Sequence, residues 1–397
     1  AISGSSPATV VAIGTMMGPA LIAAGYQERF SHGLLTSAGS LGILIPPSIP
    51  MIVYPIVNQT AVIEVERLFA SGFGPGLVMG SILIGYSFYQ GITDKVPTEP
   101  FKFKKLMAAT RDGFWALMFP ILILGGIYGG IFNAVEASAV SVAYAVVVEV
   151  WLHRALKLKA IPEIFGETGV FLGSFLVIMV MALALGEFLE KEEIPARMVE
   201  WIQGKDLEYW QFLVLLNLIL LAVGMMMDIL SAMFVFVPLL APIAASMGVD
   251  PMHFGIIFIV NLEIGYLTPP VGLNLFVASA LYEKGLGHVI RSVAPFVGLM
   301  LIGLGIITWY PQVSIGLGNA IMGGDPNAMV DEDGDGEDDG GDSGGMPTME
   351  EMMQEAMGGD DWDDEDEEED EEEEAPEDEA AGEEAAGAPD AEPDPTE

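Results

Sequence analysis

Apolar residues fill the first 315 positions in blocks of about 20, the length at which an α-helix crosses the hydrocarbon core of a bilayer. The blocks at 67–92, 114–132, 135–153, 169–189 and 289–309 are continuous, and each predicts one spanning helix. Blocks 33–57 and 254–282 are also long enough to span, but Gly and Pro cut them near the middle, which predicts broken helices. Blocks 2–25 and 209–247 carry polar residues within an apolar run and predict hairpins that enter and leave on one side. In the second, Asp228 and Ser231 mark the turn between two arms of roughly half a span; two short tilted spans are the alternative.

The two broken blocks repeat one pattern. Gly42-Ile43-Leu44-Ile45-Pro46-Pro47 and Gly265-Tyr266-Leu267-Thr268-Pro269-Pro270 both read G-x-L-x-P-P, 223 positions apart. The same offset carries Pro19 onto Pro242 and Ser5 onto Asp228. Proline removes a backbone donor and frees carbonyls, and free carbonyls at membrane depth persist only where protein or a wet cavity satisfies them. Paired interruptions in corresponding places point to the binding site of a secondary transporter. The predicted fold class is therefore an all-α polytopic membrane protein with two inverted repeats, each a re-entrant hairpin followed by a broken transmembrane helix.

Composition adds a boundary and a direction. From Asp325 onward there is no Lys or Arg, and 35 of the 56 acids lie there, so the body holds 21 acids against all 15 bases. Such a tail cannot bury enough apolar surface to offset its ordering entropy, and 316–397 is expected to be a disordered acidic tail. Within it Asp331-x-Asp333-x-Asp335-Gly336 imitates the start of a calcium loop, an accident that acid-rich sequence produces readily. The absence of Cys excludes disulfides and thiol chemistry. A start at Ala1 inside an apolar run suggests a chain whose upstream spans are missing. Basic residues gather in three loops: Lys95, Lys102, Lys104, Lys105 and Arg111; then Arg154, Lys157 and Lys159; then Lys284 and Arg291. The predicted spans put all three on one side, which the positive-inside rule makes cytoplasmic. The two broken helices then run in opposite directions and the tail falls outside. The expected location is the cytoplasmic (inner) membrane of a bacterium or archaeon.

Candidate chemistry collects at the breaks. Ser3, Ser5, Ser6 and Thr9 offer hydroxyls near the first, with backbone carbonyls around Gly42, Ile45 and Pro46. Asp228, Ser231, Asn261, Glu263, Thr268 and Asn274 offer carboxylate, hydroxyl and amide oxygens near the second, with carbonyls around Gly265. Oxygen-only donors suit a hard cation such as sodium, and Ser5, Gly42, Asp228, Gly265 and Thr268 are the candidate ligands. Membrane Ser and Thr often only bond back to their own helix, and the two Asn could simply tie off freed carbonyls. Asp228 and Glu263 are different, because an intramembrane carboxylate is costly. Glu136 and Glu149 lie away from the breaks and read as structural. His32, His153, His253 and His288 fall at span ends and read as interfacial.

Residues 2–9 (Ile-Ser-Gly-Ser-Ser-Pro-Ala-Thr), 41–48 and above all 261–277 (Asn-Leu-Glu-Ile-Gly-Tyr-Leu-Thr-Pro-Pro-Val-Gly-Leu-Asn-Leu-Phe-Val) make the chain resemble the large membrane subunit of TRAP transporters, the tripartite ATP-independent periplasmic family. The resemblance runs through residues 1–315. It implies sodium-driven import of small organic acids such as dicarboxylates or sialic acid, with sodium as coupling ion and no other cofactor. It also implies a small four-helix membrane partner subunit, a periplasmic substrate-binding protein, and an elevator motion of the domain that holds both hairpins. On this reading 1–58 and 209–283 form the transport domain, 59–208 connecting and scaffold helices, and 284–315 the last span. The lipid bilayer is a partner and nucleic acid is not. A standalone ion-coupled carboxylate symporter shares the broken-repeat logic. An intramembrane serine hydrolase at Ser5 would need a base in reach, and no histidine is predicted at hairpin depth, so no enzyme activity is expected. A non-transporting scaffold would leave the paired breaks unexplained.

Overall fold

The computed structural model describes residues 4–97, 101–204 and 207–322. Those residues are helical, with no β-strand among them. The first helices are α1 (Ser6–Ala23), α2 (Glu28–Ser40), α3 (Ile49–Val57) and α4 (Val65–Thr93). α5 (Phe103–Asp112), α6 (Phe114–Tyr128), α7 (Ala134–Val146), α8 (Ile161–Lys191) and α9 (Ile194–Gln203) follow. The last six are α10 (Tyr209–Gly224), α11 (Ile229–Ser246), α12 (Pro251–Gly265), α13 (Leu273–Leu281), α14 (Leu286–Trp309) and α15 (Ile315–Met322). Among the described residues five helices are long and apolar enough to cross a membrane: α1, α4, α7 with its π-helical extension to Leu152, α11 and α14. The bent pair α5–α6 counts as a sixth only if the two helices form one span across their 67° bend. The chain is an all-α polytopic membrane protein.

The repeat read from the sequence extends to whole elements. Moving α1 forward by 223 positions lands on α11 residue for residue, and α2, α3 and α4 land within two residues of the starts of α12, α13 and α14, except that α2 lands on the start of α12 exactly. Both Pro-Pro bonds at the breaks are cis. Tertiary packing interlocks the copies: α1 lies against α2 and α13, while α11 lies against α12 and α3, so the first helix of each pair touches the far half of the other copy's broken helix. α14 crosses α2, and α4 touches α12 in return. The centre of the molecule is α12, every residue of which from Met252 to Gly265 is buried. That explains its all-round apolar sequence, since a helix enclosed on every side has no polar face to keep.

Some expectations need correction. The hairpin expected over 2–25 is not seen in its described part, 4–25: α1 is one unbroken helix through Pro19, and its close neighbour is α2. The helix–turn–helix expected at 209–247 is present, but α10 has 16 residues and α11 has 18, longer than half a span. His32 and His253 sit near helix starts as expected, yet both are packed inside. His32 stacks on Tyr282 at 4.0 Å between ring centroids, and His253 lies 3.3 Å from both Ser314 Oγ and the Thr308 carbonyl. Glu136 is structural as read, closing a capping box with Asn133 at the start of α7. Residues 316–322, expected to begin the disordered tail, instead form most of α15, which packs on α4; the rest of the acidic tail, with its D-x-D-x-D-G run, lies outside the described residues.

Candidate functional site

At the first break, α2 tightens into a 3-10 turn over Leu41–Ile43, and α3 begins after Ser48, whose hydroxyl donates to the Ile43 carbonyl. Gly4, at φ +59°, lies so close that a Cβ there would sit 3.3 Å from the Pro47 carbonyl and the Ile49 nitrogen. Ser5 precedes α1 in extended conformation, and its carbonyl accepts from both the backbone N–H and the hydroxyl of Thr9. The Thr9 side chain in turn rests on Gly42. Gly42 and Pro46 are buried and Ile45 is half-buried beside them, so Gly4, Ser5, Thr9 and the break form one tight unit. Ser3 lies outside the described residues.

The second break is built alike. α12 ends at Gly265, whose carbonyl accepts from Thr268 N–H at 3.0 Å, and the Thr268 hydroxyl bonds back to Ile264 at 2.8 Å. The tip of the α10–α11 turn docks here: the Met225 carbonyl accepts from the N–H groups of Val271 and Gly272 at 3.2 and 3.3 Å. A Cβ on Gly265 would fall onto the backbone of Gly224, so the end of α10 and the end of α12 touch backbone to backbone. Asp228 is exposed and caps α11, one carboxylate oxygen accepting from Leu230 and Ser231 N–H at 3.1 Å each. The Tyr266 hydroxyl accepts the remaining first-turn N–H, from Ile229, at 2.7 Å. The α11 N-terminus is thus tied off on both sides. Ser231 is half-buried in its first turn.

The two units meet at Asn274, the second residue of α13. Its amide nitrogen donates to Ser6 Oγ at 2.6 Å and to Ser40 Oγ at 3.0 Å, tying the first residue of α1 and the last of α2 to the second copy. The N-termini of α1 and α13 therefore converge, each with partial positive charge, while the C-terminal end of α2 supplies the opposite sign. Asn261, three turns into α12, donates to Asn217 Oδ1 of α10 at 2.7 Å and to its own helix at Ile257.

Several buried oxygens here have no partner among the described residues: Asn261 Oδ1, Asn274 Oδ1, both carboxylate oxygens of Glu263, and Ser37 Oγ. An unpaired buried acceptor costs free energy, and lone acceptors with no donor to meet them are the donor set of a hard cation. The residues present fit sodium in kind. Among the described residues no three His, Asp or Glu side chains cluster as a metal site, so such an ion would take most of its ligands from hydroxyl, amide and backbone oxygens.

Sequence reasoning missed Ser37, Ser40, Asn217 and Tyr266. Carrying Glu263 back by 223 positions lands on Ser40, a signal available in the repeat itself. Asn217 is a lone polar residue in the apolar run of α10, which is also a readable mark.

Two helix–break units of one design, meeting at a shared asparagine, agree with comparison to known proteins. The family model described as "Tripartite ATP-independent periplasmic transporter, DctM component" matches residues 1–313. The chain belongs to this family. It is 39% identical over 320 residues, 80% of its length, to the C4-dicarboxylate TRAP transporter large permease protein DctM of Pseudomonas aeruginosa, and spans 74% of that protein. It is 31% identical to the sialic acid TRAP transporter large permease protein SiaM of Vibrio cholerae, spanning 81% of this chain and 75% of that one. It is 38% identical to the isethionate TRAP transporter permease protein DctMQ of Oleidesulfovibrio alaskensis, spanning 79% of this chain and 49% of that protein. These relatives are transporter permeases, so the TRAP chain described here is a membrane transport component and not an enzyme.

Proposed function

We propose that this TRAP permease imports a small organic acid in symport with sodium. The single observation that carries this reading is the set of unpartnered buried oxygens on Asn261 and Glu263 of α12 and on Asn274, the residue that ties the two break units together. Sodium would draw on those oxygens and on carbonyls or side chains of Ser5, Gly42, Asp228, Gly265 and Thr268, offsetting the cost of leaving them bare. The substrate carboxylate would be met by donors, of which Ser6, Ser40 and the N-terminal N–H groups of α1 and α13 are the nearest set. Relatives named for C4-dicarboxylates, isethionate and sialic acid share an acid group, which supports the class of substrate without choosing within it.

The substrate arrives on a periplasmic binding protein, and a small four-helix membrane subunit completes the transporter; the relative named DctMQ supports that pairing. The interlocked copies α1–α3 and α11–α13 move together, elevator fashion, against the helices of 59–208. A cavity of about 550 Å³ between α11 and the α8–α9 segment, lined by Leu189, Val199, Pro238 and Pro242, gives that boundary room.

The test is uptake into proteoliposomes holding the complete transporter, with the substrate-loaded binding protein outside. An inward sodium gradient should drive accumulation. Equal uptake under a proton gradient without sodium would reject the coupling, and uptake of free substrate without the binding protein would favour a standalone symporter.

A further inference from the structure

The segment joining α4 to α6 reads in the sequence as a basic loop, yet its second half is the helix α5. It has ten residues, none buried, and meets α6 at Gly113 with a bend of 67°. At 100° per residue Phe103, Leu106 and Met107 fall within one stripe about 100° wide. These three are 62%, 49% and 56% exposed, so nothing among the described residues covers the stripe. Aromatic rings bracket it, with Phe101 before the helix and Phe114 and Trp115 just after the bend. Lys104 and Arg111 share one flank of the stripe, Lys102 precedes it, and with Lys105 residues 101–113 carry four bases against Asp112 alone.

We propose that α5 lies in the headgroup layer of the cytoplasmic leaflet and binds anionic lipid. α6 tethers the helix within reach of the bilayer, and the sharp bend at Gly113 turns it out of the direction of that span. Phe103, Leu106 and Met107 enter the acyl boundary, while Lys102, Lys104 and Arg111 sit at lipid phosphates. An amphipathic helix with a basic polar face and aromatic apolar face has the chemistry of a membrane surface rather than of a soluble partner. Trp115 and Phe114 at the bend mark the depth of the interface, where aromatic side chains gather. The basic loops of the chain fall on the side whose leaflet is negatively charged, so charge and location agree. The acidic body, with 21 acids to 15 bases, makes this local excess a feature of the segment and not of the whole chain.

The chain has no Cys, so Met107→Cys and Ala108→Cys each place one bimane fluorophore, the first on the stripe and the second on the polar side. The complete transporter is reconstituted in phosphatidylcholine vesicles with phosphatidylglycerol, and a shallow spin-label quencher is carried on either lipid. The probe at 107 should be quenched at least about twofold more than that at 108. Quenching by labelled phosphatidylglycerol should exceed that by labelled phosphatidylcholine, since each engaged base enriches anionic lipid about fivefold. Combined Lys102→Gln, Lys104→Gln and Arg111→Gln should abolish the excess, salt should weaken it, and Lys102→Arg with Lys104→Arg should keep it. Equal quenching at 107 and 108, as for a helix in water or under another subunit, overturns the proposal. So does equal quenching by the two lipids.

Discussion

Asn274 ties α13 to the consecutive helices α1 and α2, far away in the chain, and its bonds to Ser6 and Ser40 are buried where water cannot replace them. Asn274→Ala removes both bonds and should cost about 1–2 kcal/mol of stability, read as a lower unfolding temperature in detergent, together with a large loss of uptake. An Ala variant of unchanged stability and uptake would show that the junction holds nothing. Asp228 separates two roles by substitution. Asp228→Ala removes the acceptor of two helix-start N–H groups and should destabilise by about 1 kcal/mol. Asp228→Asn keeps a capping oxygen and drops the charge, so expression and stability should persist while the sodium dependence of uptake weakens. Wild-type sodium dependence in Asp228→Asn would assign the residue to capping alone. At this scale the sequence pointed to Asn274, Asn261 and Glu263 because a polar side chain in an apolar block is costly and so conspicuous. Ser37 and Ser40 escaped notice because α2 is rich in small residues and its Ser look like ordinary helix-packing positions; only the repeat offset distinguishes Ser40.

The break units depend on close approach of backbones. Gly265→Ala would drive a methyl group into the Gly224 backbone, which cannot rotate away. It should cost about 1–3 kcal/mol and displace the α10–α11 tip from the Met225 bonds to Val271 and Gly272, lowering uptake. Gly42→Ala meets the Thr9 side chain instead, which has a rotamer to change, so its effect should be the smaller of the two in paired thermal-unfolding and uptake assays. The reverse order would show that Thr9 is the more rigid neighbour. Most elements were legible because a spanning helix has few ways to hide: blocks at 67–92, 135–153 and 289–309 match α4, α7 with its extension and α14 closely. α5 was not, since ten residues with four Lys or Arg around them resemble a loop until the apolar stripe is seen at helical spacing. The hairpin expected at 2–25 failed for a related reason: its polar residues lie at the start of the block, where Ser5 and Ser6 begin a helix instead of turning one.

At the scale of the molecule the proposed site rests on the α1–α3 and α11–α13 copies, and the tail is expected to add nothing to it. Removal of residues 325–397, which hold 35 acids and no Lys or Arg, should leave insertion and uptake unchanged, because nothing in that stretch can complete the site. Loss of uptake by a well-inserted truncation would point to a docking role. The repeat was readable from two Pro-Pro motifs alone, whereas the interlock of α1 with α13 and α11 with α3 was not, since spacing along a chain does not say which copy a helix leans on. That interlock makes alternating access the central claim, and the absence of Cys makes it measurable. Ser5→Cys and Ser231→Cys each introduce the only thiol of this chain at corresponding ends of the two units. A membrane-impermeant maleimide added outside should label Ser231→Cys and should reach Ser5→Cys only once the membrane is opened. Sodium with substrate-loaded binding protein should change both rates, because a ligand shifts an equilibrium by its differential affinity for the two states. Labelling of both positions from one side, indifferent to sodium and substrate, would contradict the account.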